Sequence, residues 1–237
     1  MNEQPITSLQ NQRIKEFVSL GTKSSERRKS GLFVVEGTRE CLAAGKAGYQ
    51  IDTLLWVRDM VSEEFIKSLR AVRAIEITSQ VYEKVAYRGG TEGVIATVKH
   101  KNLKLDHIKL SDNPLIIVLE SVEKPGNLGA VLRTADAVKA DAVIVTCTSK
   151  EAYEWLIMNK IRIFTAELQA SEWYHLTDMT TPMAIVMGTE AEGLKEFWRE
   201  RADQRIKIPM RGELDSLNVS VSTAILCYEA LRQRDFK

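Results

Sequence analysis

Three stretches of this chain hold side chains whose types and spacing could do chemistry. In the first, Asn127-Leu-Gly-Ala-Val-Leu-Arg133, an arginine lies six residues after an asparagine, among the small or apolar Ala130, Val131, Leu132, Thr134, Ala135 and Ala137. That places it close to a turn that could also hold a substrate, although Arg133 could equally pair with Asp136 or Glu120. In the second, the apolar run Met183 to Met187 ends in Gly188-Thr-Glu-Ala-Glu-Gly193, which sets Glu190 at the C-terminal rim of a sheet, where open α/β proteins build their sites. The third runs from Met210 to Asn218 and carries Ser216, Leu217 and Asn218 before a helix with Val221, Ile225 and Tyr228 at helical spacing. Asn218 or Ser216 is a good N-cap there, and a Ser-x-Asn before a helix is on its own a cap more often than a catalytic element.

The elements that must position these residues alternate between apolar runs and helical patterns. Helical spacing covers Ile6 to Leu20, followed by a basic loop, Lys23 to Lys29, whose Arg27, Arg28 and Lys29 suit contact with phosphate as well as with solvent. Strand candidates at Gly31 to Gly37, Leu54 to Val57, Ala74 to Ile77 and Val94 to Val98 alternate with helix candidates at Arg39 to Ala44 (capped by Thr38), Glu63 to Val72 and Val81 to Tyr87. The lysine-rich stretch 99–113 is the expected linker, between a domain of residues 1–98 and one of residues 114–237. The second domain opens with Leu115-Ile-Ile-Val-Leu119, an apolar run typical of a buried parallel strand, then a glycine-containing turn, a helix and the strand Asp141 to Val145. Gly126 and Gly129 do not make a dinucleotide fingerprint, and no Gly-Lys-Ser/Thr follows, so neither a Rossmann dehydrogenase nor a P-loop is supported.

Composition narrows the classes further. Two modest domains fit 237 residues. With 33 basic and 32 acidic residues the net charge is +1, so any nucleic-acid contact must come from local patches. Cys41, Cys147 and Cys227 are far apart and make no ligand spacing with His100, His107 and His175, which argues against a metal site or a disulfide framework. The N-terminal residues do not resemble a signal peptide and no apolar run reaches membrane-spanning length; the expectation is a cytoplasmic protein.

Taken together, Asn127-Leu-Gly-Ala-Val-Leu-Arg-Thr-Ala, Val186-Met-Gly-Thr-Glu-Ala-Glu-Gly-Leu and Ile208-Pro-Met-x4-Asp-Ser-Leu-Asn-Val-Ser-Val-Ser-x-Ala resemble, in content and order, the three motifs of the SpoU (TrmH-like) RNA ribose 2′-O-methyltransferases of the SPOUT superfamily. Ile6-Thr-Ser-Leu-Gln-Asn and Phe33-Val-Val-Glu-Gly resemble the RNA-binding domain that many members carry in front. The resemblance implies an α/β fold with a trefoil-knotted methyltransferase domain, preceded by a smaller α/β RNA-binding domain. It also implies a cytoplasmic homodimer that uses S-adenosyl-L-methionine and no metal, acts on RNA, and packs the helix after Val219 at the dimer interface. Asn127, Arg133, Glu190, Ser216 and Asn218 match the family's functional residues, and Gly188, Ile208, Met210 and Leu217 would contact the cofactor. The front domain favours ribosomal RNA over transfer RNA as substrate.

One departure stands out. Members usually continue after the strand ending at Val145 with an Asn-Pro loop and an Arg-x-Ser-x-Gly-x-x-Phe segment, whereas here Thr146-Cys-Thr-Ser-Lys150 leads straight to Glu151. Either the protein has lost that segment or it carries one that this sequence lacks; a real loss puts substrate placement beside the ribose in question and keeps a non-catalytic RNA-binding relative as the second reading.

Overall fold

The alternation of short apolar runs with helical stretches folds into two compact units, residues 1–102 and 103–237. The structure, a computed structural model, describes residues 5–87, 92–121, 124–146, 148–169, 172–189 and 193–235. No helix among them is long and apolar enough to cross a membrane.

The first unit contains α1 (Gln12–Thr22), α2 (Ser24–Ser30), β1 (Leu32–Glu36), α3 (Thr38–Lys46), β2 (Ile51–Trp56), α4 (Glu63–Ser68), β3 (Arg73–Glu76), α5 (Ser79–Val85) and β4 (Val94–Lys99). The strands form a mixed sheet in the order β1-β4-β2-β3, with only β2 and β3 parallel. Alternate side chains face opposite ways along a strand. Leu54 and Trp56 therefore join Cys41 of α3 and Ile66 of α4 in one core, while Leu55 joins Ile14 and Phe17 of α1 and Val81 of α5 in the other.

Three local expectations change here. The first helix begins only at Gln12, because Asn11 Oδ1 accepts the Arg13 N–H (2.9 Å) and caps it, while Ile6 forms an isolated bridge with Ile77. The basic stretch after Lys23 is helical rather than a loop, and Arg27 Nη1 donates to Leu20 O at 2.8 Å. Thr38 does not cap α3. Its N–H (2.7 Å) and hydroxyl (2.8 Å) both donate to the carboxylate of Glu92, so the cap arrives from a distant part of the chain.

The second unit contains β5 (Leu115–Glu120), α6 (Pro125–Ala137), β6 (Ala142–Thr146), α7 (Ser149–Met158), β7 (Arg162–Ala166), β8 (Glu172–Trp173), β9 (Met183–Met187), α8 (Glu196–Arg201), β10 (Gln204–Lys207) and α9 (Val219–Asp235). The stretch 99–113 is shared out between the units: His100 N–H donates to Gly31 O, whereas Leu105, Ile108 and Leu110 pack on the core of the second unit. The sheet is wholly parallel, in the order β6-β5-β9-β7-β10-β8. A parallel sheet needs cover on both faces. On one face α6 and α9 pack over Ile117, Leu119, Phe164 and Ile185; on the other α7 and α8 pack over Ile116, Val118, Ile163 and Val186. All strands point the same way, so the loops after Glu120, Ala166, Met187 and Lys207 share one rim.

Helix α9 crosses the sheet from that rim to the opposite one. At its far end the Arg234 guanidinium donates to the carbonyls of Met179 (2.9 Å), Asn113 (2.9 Å), Pro114 (3.3 Å) and Thr181, and Gln233 bridges the Met179 N–H and Thr177 O. Burial holds the Arg234 pKa below that of an ordinary arginine, the charge of Asp141 opposing the shift. Removing the guanidinium leaves partly buried carbonyls without a donor. Arg234→Ala is therefore expected to lower the unfolding free energy by about 2–3 kcal/mol, checked by urea denaturation.

Candidate active site at the C-terminal rim

The loop after β9 is shaped by backbone packing. A Cβ on Gly188 would lie 2.2 Å from the carbonyl carbon of Gly193 and 2.5 Å from the Leu194 nitrogen, so no other residue fits without moving the main chain. Thr189 and Gly193 close the loop with paired hydrogen bonds (Thr189 N–H to Gly193 O, 3.2 Å; Gly193 N–H to Thr189 O, 3.0 Å), and Gly193 takes the left-handed φ of 69° that glycine tolerates. Glu190 lies outside the described residues.

Asn218 is both the cap and a link between motifs. Its backbone carbonyl accepts the Ser222 N–H (3.0 Å) and its Oδ1 accepts the Ser220 N–H (2.9 Å) and hydroxyl (2.6 Å), the pattern of an N-cap. Its Nδ2 remains to donate to Asn127 Oδ1 at 3.1 Å. Asn127 stands in the first turn of α6, which starts with Pro125 in the position where a missing N–H costs nothing. The packing of α6 against α9 thus brings residues 91 positions apart into contact.

Beside this pair lies a pocket of about 360 Å³. Gly188, Ile208, Met210, Ser216 and Leu217 all line it, with Met187, Leu194 and Val219 contributing apolar surface and Thr189, Asp215 and Ser222 polar groups. Ser216 Oγ donates to Asp215 Oδ1 at 3.2 Å. Arg133 is exposed on α6 and does not line the pocket; among the described residues it makes no ion pair. Glu120, one partner considered for it, is engaged elsewhere, accepting the Ser149 hydroxyl and the Lys195 N–H.

The structure adds Glu167, which the sequence reading missed. Its nearly buried carboxylate lines the same pocket and faces Arg199 Nε (3.1 Å), Arg205 Nε (3.7 Å) and the Thr165 hydroxyl (3.2 Å). No motif surrounds it. Its position just after a buried strand of the parallel sheet was the available signal, because every such strand ends at the ligand-binding rim.

Helix α9 has a second apolar side besides the Val221, Ile225 and Tyr228 stripe. Val219, Thr223, Leu226, Cys227 and Ala230 are the buried side of α9, whereas Val221 and Tyr228 are 46% and 45% exposed. The apolar stripe visible in the sequence therefore points away from this chain's own core.

The pattern of the SpoU rRNA methylase family matches residues 114–158 and 147–228, so residues 147–158, most of them in α7, are matched twice; that of the MRM3-like substrate binding domain matches residues 11–96. The 23S rRNA (guanosine-2′-O-)-methyltransferase of Photobacterium profundum is 34% identical over 216 residues, taking in 75% of this chain and 88% of that protein. The enzyme of the same name from Haemophilus influenzae is 37% identical over 191 residues, 67% of this chain and 78% of its own length. Among solved structures, an RNA 2′-O ribose methyltransferase at 33% identity superposes with a TM-score of 0.81 over 97% of this chain and 99% of that one. The SpoU methyltransferase AviRb of Streptomyces viridochromogenes, crystallised with S-adenosylmethionine, shares the fold (TM-score 0.83, 23% identity, 94% of this chain and 98% of that one). On these matches and the order of its three rim loops, the chain belongs to the SpoU rRNA methylase family.

Proposed function

We propose that this protein transfers the methyl group of S-adenosyl-L-methionine to a ribose 2′-hydroxyl of ribosomal RNA in the cytoplasm. The observation that carries the reading is the convergence at one rim of the closed Gly188–Gly193 loop, the Ile208–Asn218 loop and the Asn127–Asn218 hydrogen bond. The curated relatives, both 23S rRNA 2′-O-methyltransferases, favour ribosomal RNA.

The residues present fit the cofactor. A cavity of about 360 Å³ is within the range of small-molecule sites and offers apolar walls for an adenine together with backbone and hydroxyl groups for a ribose and an amino acid. Gly188, with no room for a Cβ, lets main chain rather than side chain form one wall, and Ile208, Met210 and Leu217 form others. When bound, the sulfonium would supply an electrophilic methyl group to the ribose oxygen, with the neutral thioether as leaving group. The protein's tasks are then to hold the hydroxyl in line and to let its proton leave.

Arg133, exposed one helical stretch beyond Asn127, orients the ribose and its phosphate. A guanidinium with a pKa of about 12.5 or above is a poor base near neutrality but a good two-pronged donor to phosphate. Asn127 and Asn218 fix the relation between α6, which carries Arg133, and the pocket-lining loop. Ser216 and Glu190 are assigned to the same site by their motif positions. The first unit supplies RNA contacts, with Arg28 and Lys29 exposed on α2. In this reading the segment from Gly188 to α9 is threaded as a trefoil knot, as the resemblance of its three motifs to the family implies. The outward stripe of α9 with exposed Leu132 of α6 forms the surface between two copies.

The short connection between β6 and α7 favours a second reading, an RNA-binding relative without turnover. Labelled methyl transfer into RNA from cells lacking the gene, followed by digestion to nucleosides, separates the two: label in a 2′-O-methyl nucleoside supports the enzyme, and bound cofactor without transfer supports the alternative.

Three outcomes follow from the site. Arg133→Ala reduces methyl transfer by about 10²-fold or more while the cofactor Kd, measured calorimetrically, changes little; a large loss of cofactor affinity instead would refute the role. Gly188→Ala raises the cofactor Kd by about tenfold or more, because the loop backbone must open to admit a Cβ, as read in the same titration. Tyr228→Glu shifts the protein from dimer to monomer in sedimentation equilibrium, since a charge in the centre of an apolar interface is unpaired.

A further inference from the structure

Glu120, at the last position of β5, is 2% exposed, and the reaction described above does not use its carboxylate. Burying a carboxylate is costly unless its oxygens are well paired. Among the described residues no cation pairs with it; one oxygen accepts the Ser149 hydroxyl at 2.5 Å and the other the Lys195 backbone N–H at 3.0 Å. An apolar residue would fill the same space without that desolvation cost.

What the two donors have in common is their place. Lys195 directly follows Leu194, a pocket-lining residue at the exit of the closed Gly188–Gly193 loop, and directly precedes α8. Helix α8 in turn carries Arg199, which faces the pocket-lining Glu167. Ser149 is the first residue of α7 and lies within the stretch that the family pattern matches twice. Thr146, at the end of β6, turns the chain there by donating its hydroxyl to Thr148 O (2.6 Å) and accepting the Thr148 N–H (3.0 Å), so that α7 begins beside Glu120.

We propose that Glu120 is a positioning residue for the cofactor pocket: its buried carboxylate ties the exit of the Gly188–Gly193 loop to the start of α7 and so fixes the loop backbone against which S-adenosylmethionine binds. The inference rests on the methyltransferase reading. It gives the shortened β6–α7 connection a role, because that connection delivers the hydroxyl that satisfies the second oxygen.

The test is calorimetric titration of S-adenosylmethionine into the full chain, wild type and three variants, with melting temperatures and turnover at saturating cofactor measured alongside. Glu120→Ala raises the cofactor Kd by about tenfold, and turnover at saturation stays within about threefold, because only the placement of the loop is lost. Glu120→Gln restores the Kd to within about threefold of wild type, since its carbonyl oxygen can accept the Lys195 N–H while its amide donates to Ser149. Ser149→Ala, which leaves the Lys195 bond in place, raises the Kd by about threefold, and it decides the matter if Glu120→Ala does not fold. A folded Glu120→Ala protein with wild-type affinity overturns the proposal. So does a Glu120→Gln variant as impaired as Glu120→Ala, or an unchanged Ser149→Ala. A wild-type protein that does not bind S-adenosylmethionine overturns the methyltransferase reading itself, and is thereby distinguished from a failure of Glu120 alone.

Discussion

The approach of the Gly188 backbone to Gly193 and Leu194 is the constraint on which the second unit's site depends. With a Cβ position 2.2 Å from a carbonyl carbon, the chain leaving β9 has no freedom to accommodate a side chain there. The loop closes on itself through Thr189 and Gly193, and that closure sets where Leu194 meets the pocket and where the Lys195 amide meets Glu120. Core packing supports this arrangement from below. Met187, the last residue of β9, and Leu194 on the far side of the loop belong to the cores on opposite faces of the sheet, so the loop is held from both layers.

Helix α9 is fastened at both ends by polar contacts and along its length by apolar ones. At the rim Asn218 divides its amide between the helix it caps and Asn127 on α6, so one residue serves helix termination and site assembly together. At the other end Arg234 gathers carbonyls from the segments leading into β5 and β9. Reading Asn218 as a cap and reading it as a site residue were never exclusive: a side-chain amide has an acceptor for the helix N–H and a separate donor to spare.

Much of the fold was legible because the buried parallel strands are continuous apolar runs. Leu115 to Leu119 and Met183 to Met187 are so apolar that no helix-versus-strand ambiguity survives their length and flanking turns. The errors fell where a partner far away in sequence decides the outcome. Ile6 continues a helical spacing yet pairs with Ile77, and Thr38 has the right chemistry to cap α3 yet is displaced by the carboxylate of Glu92. Periodicity located one stripe on α9; Val219, Leu226 and Ala230 make an equally good face, and that is the one the sheet covers.

By itself the sequence determined the α/β class, the division into two units and, through three motifs in order, the family. These follow from local patterning and residue identity, which a linear chain carries in full. Only the tertiary structure decided which side chains share the pocket, that Glu167 joins it, that Glu120 is a buried acceptor rather than a partner for Arg133, and which face of α9 turns outward. Each of those depends on strand order in the sheet. Packing of α6 against α9 brings Asn127 to Asn218 and the order of the strands brings Glu120 to Lys195, across 91 and 75 positions of chain, and no local propensity encodes a contact at that range.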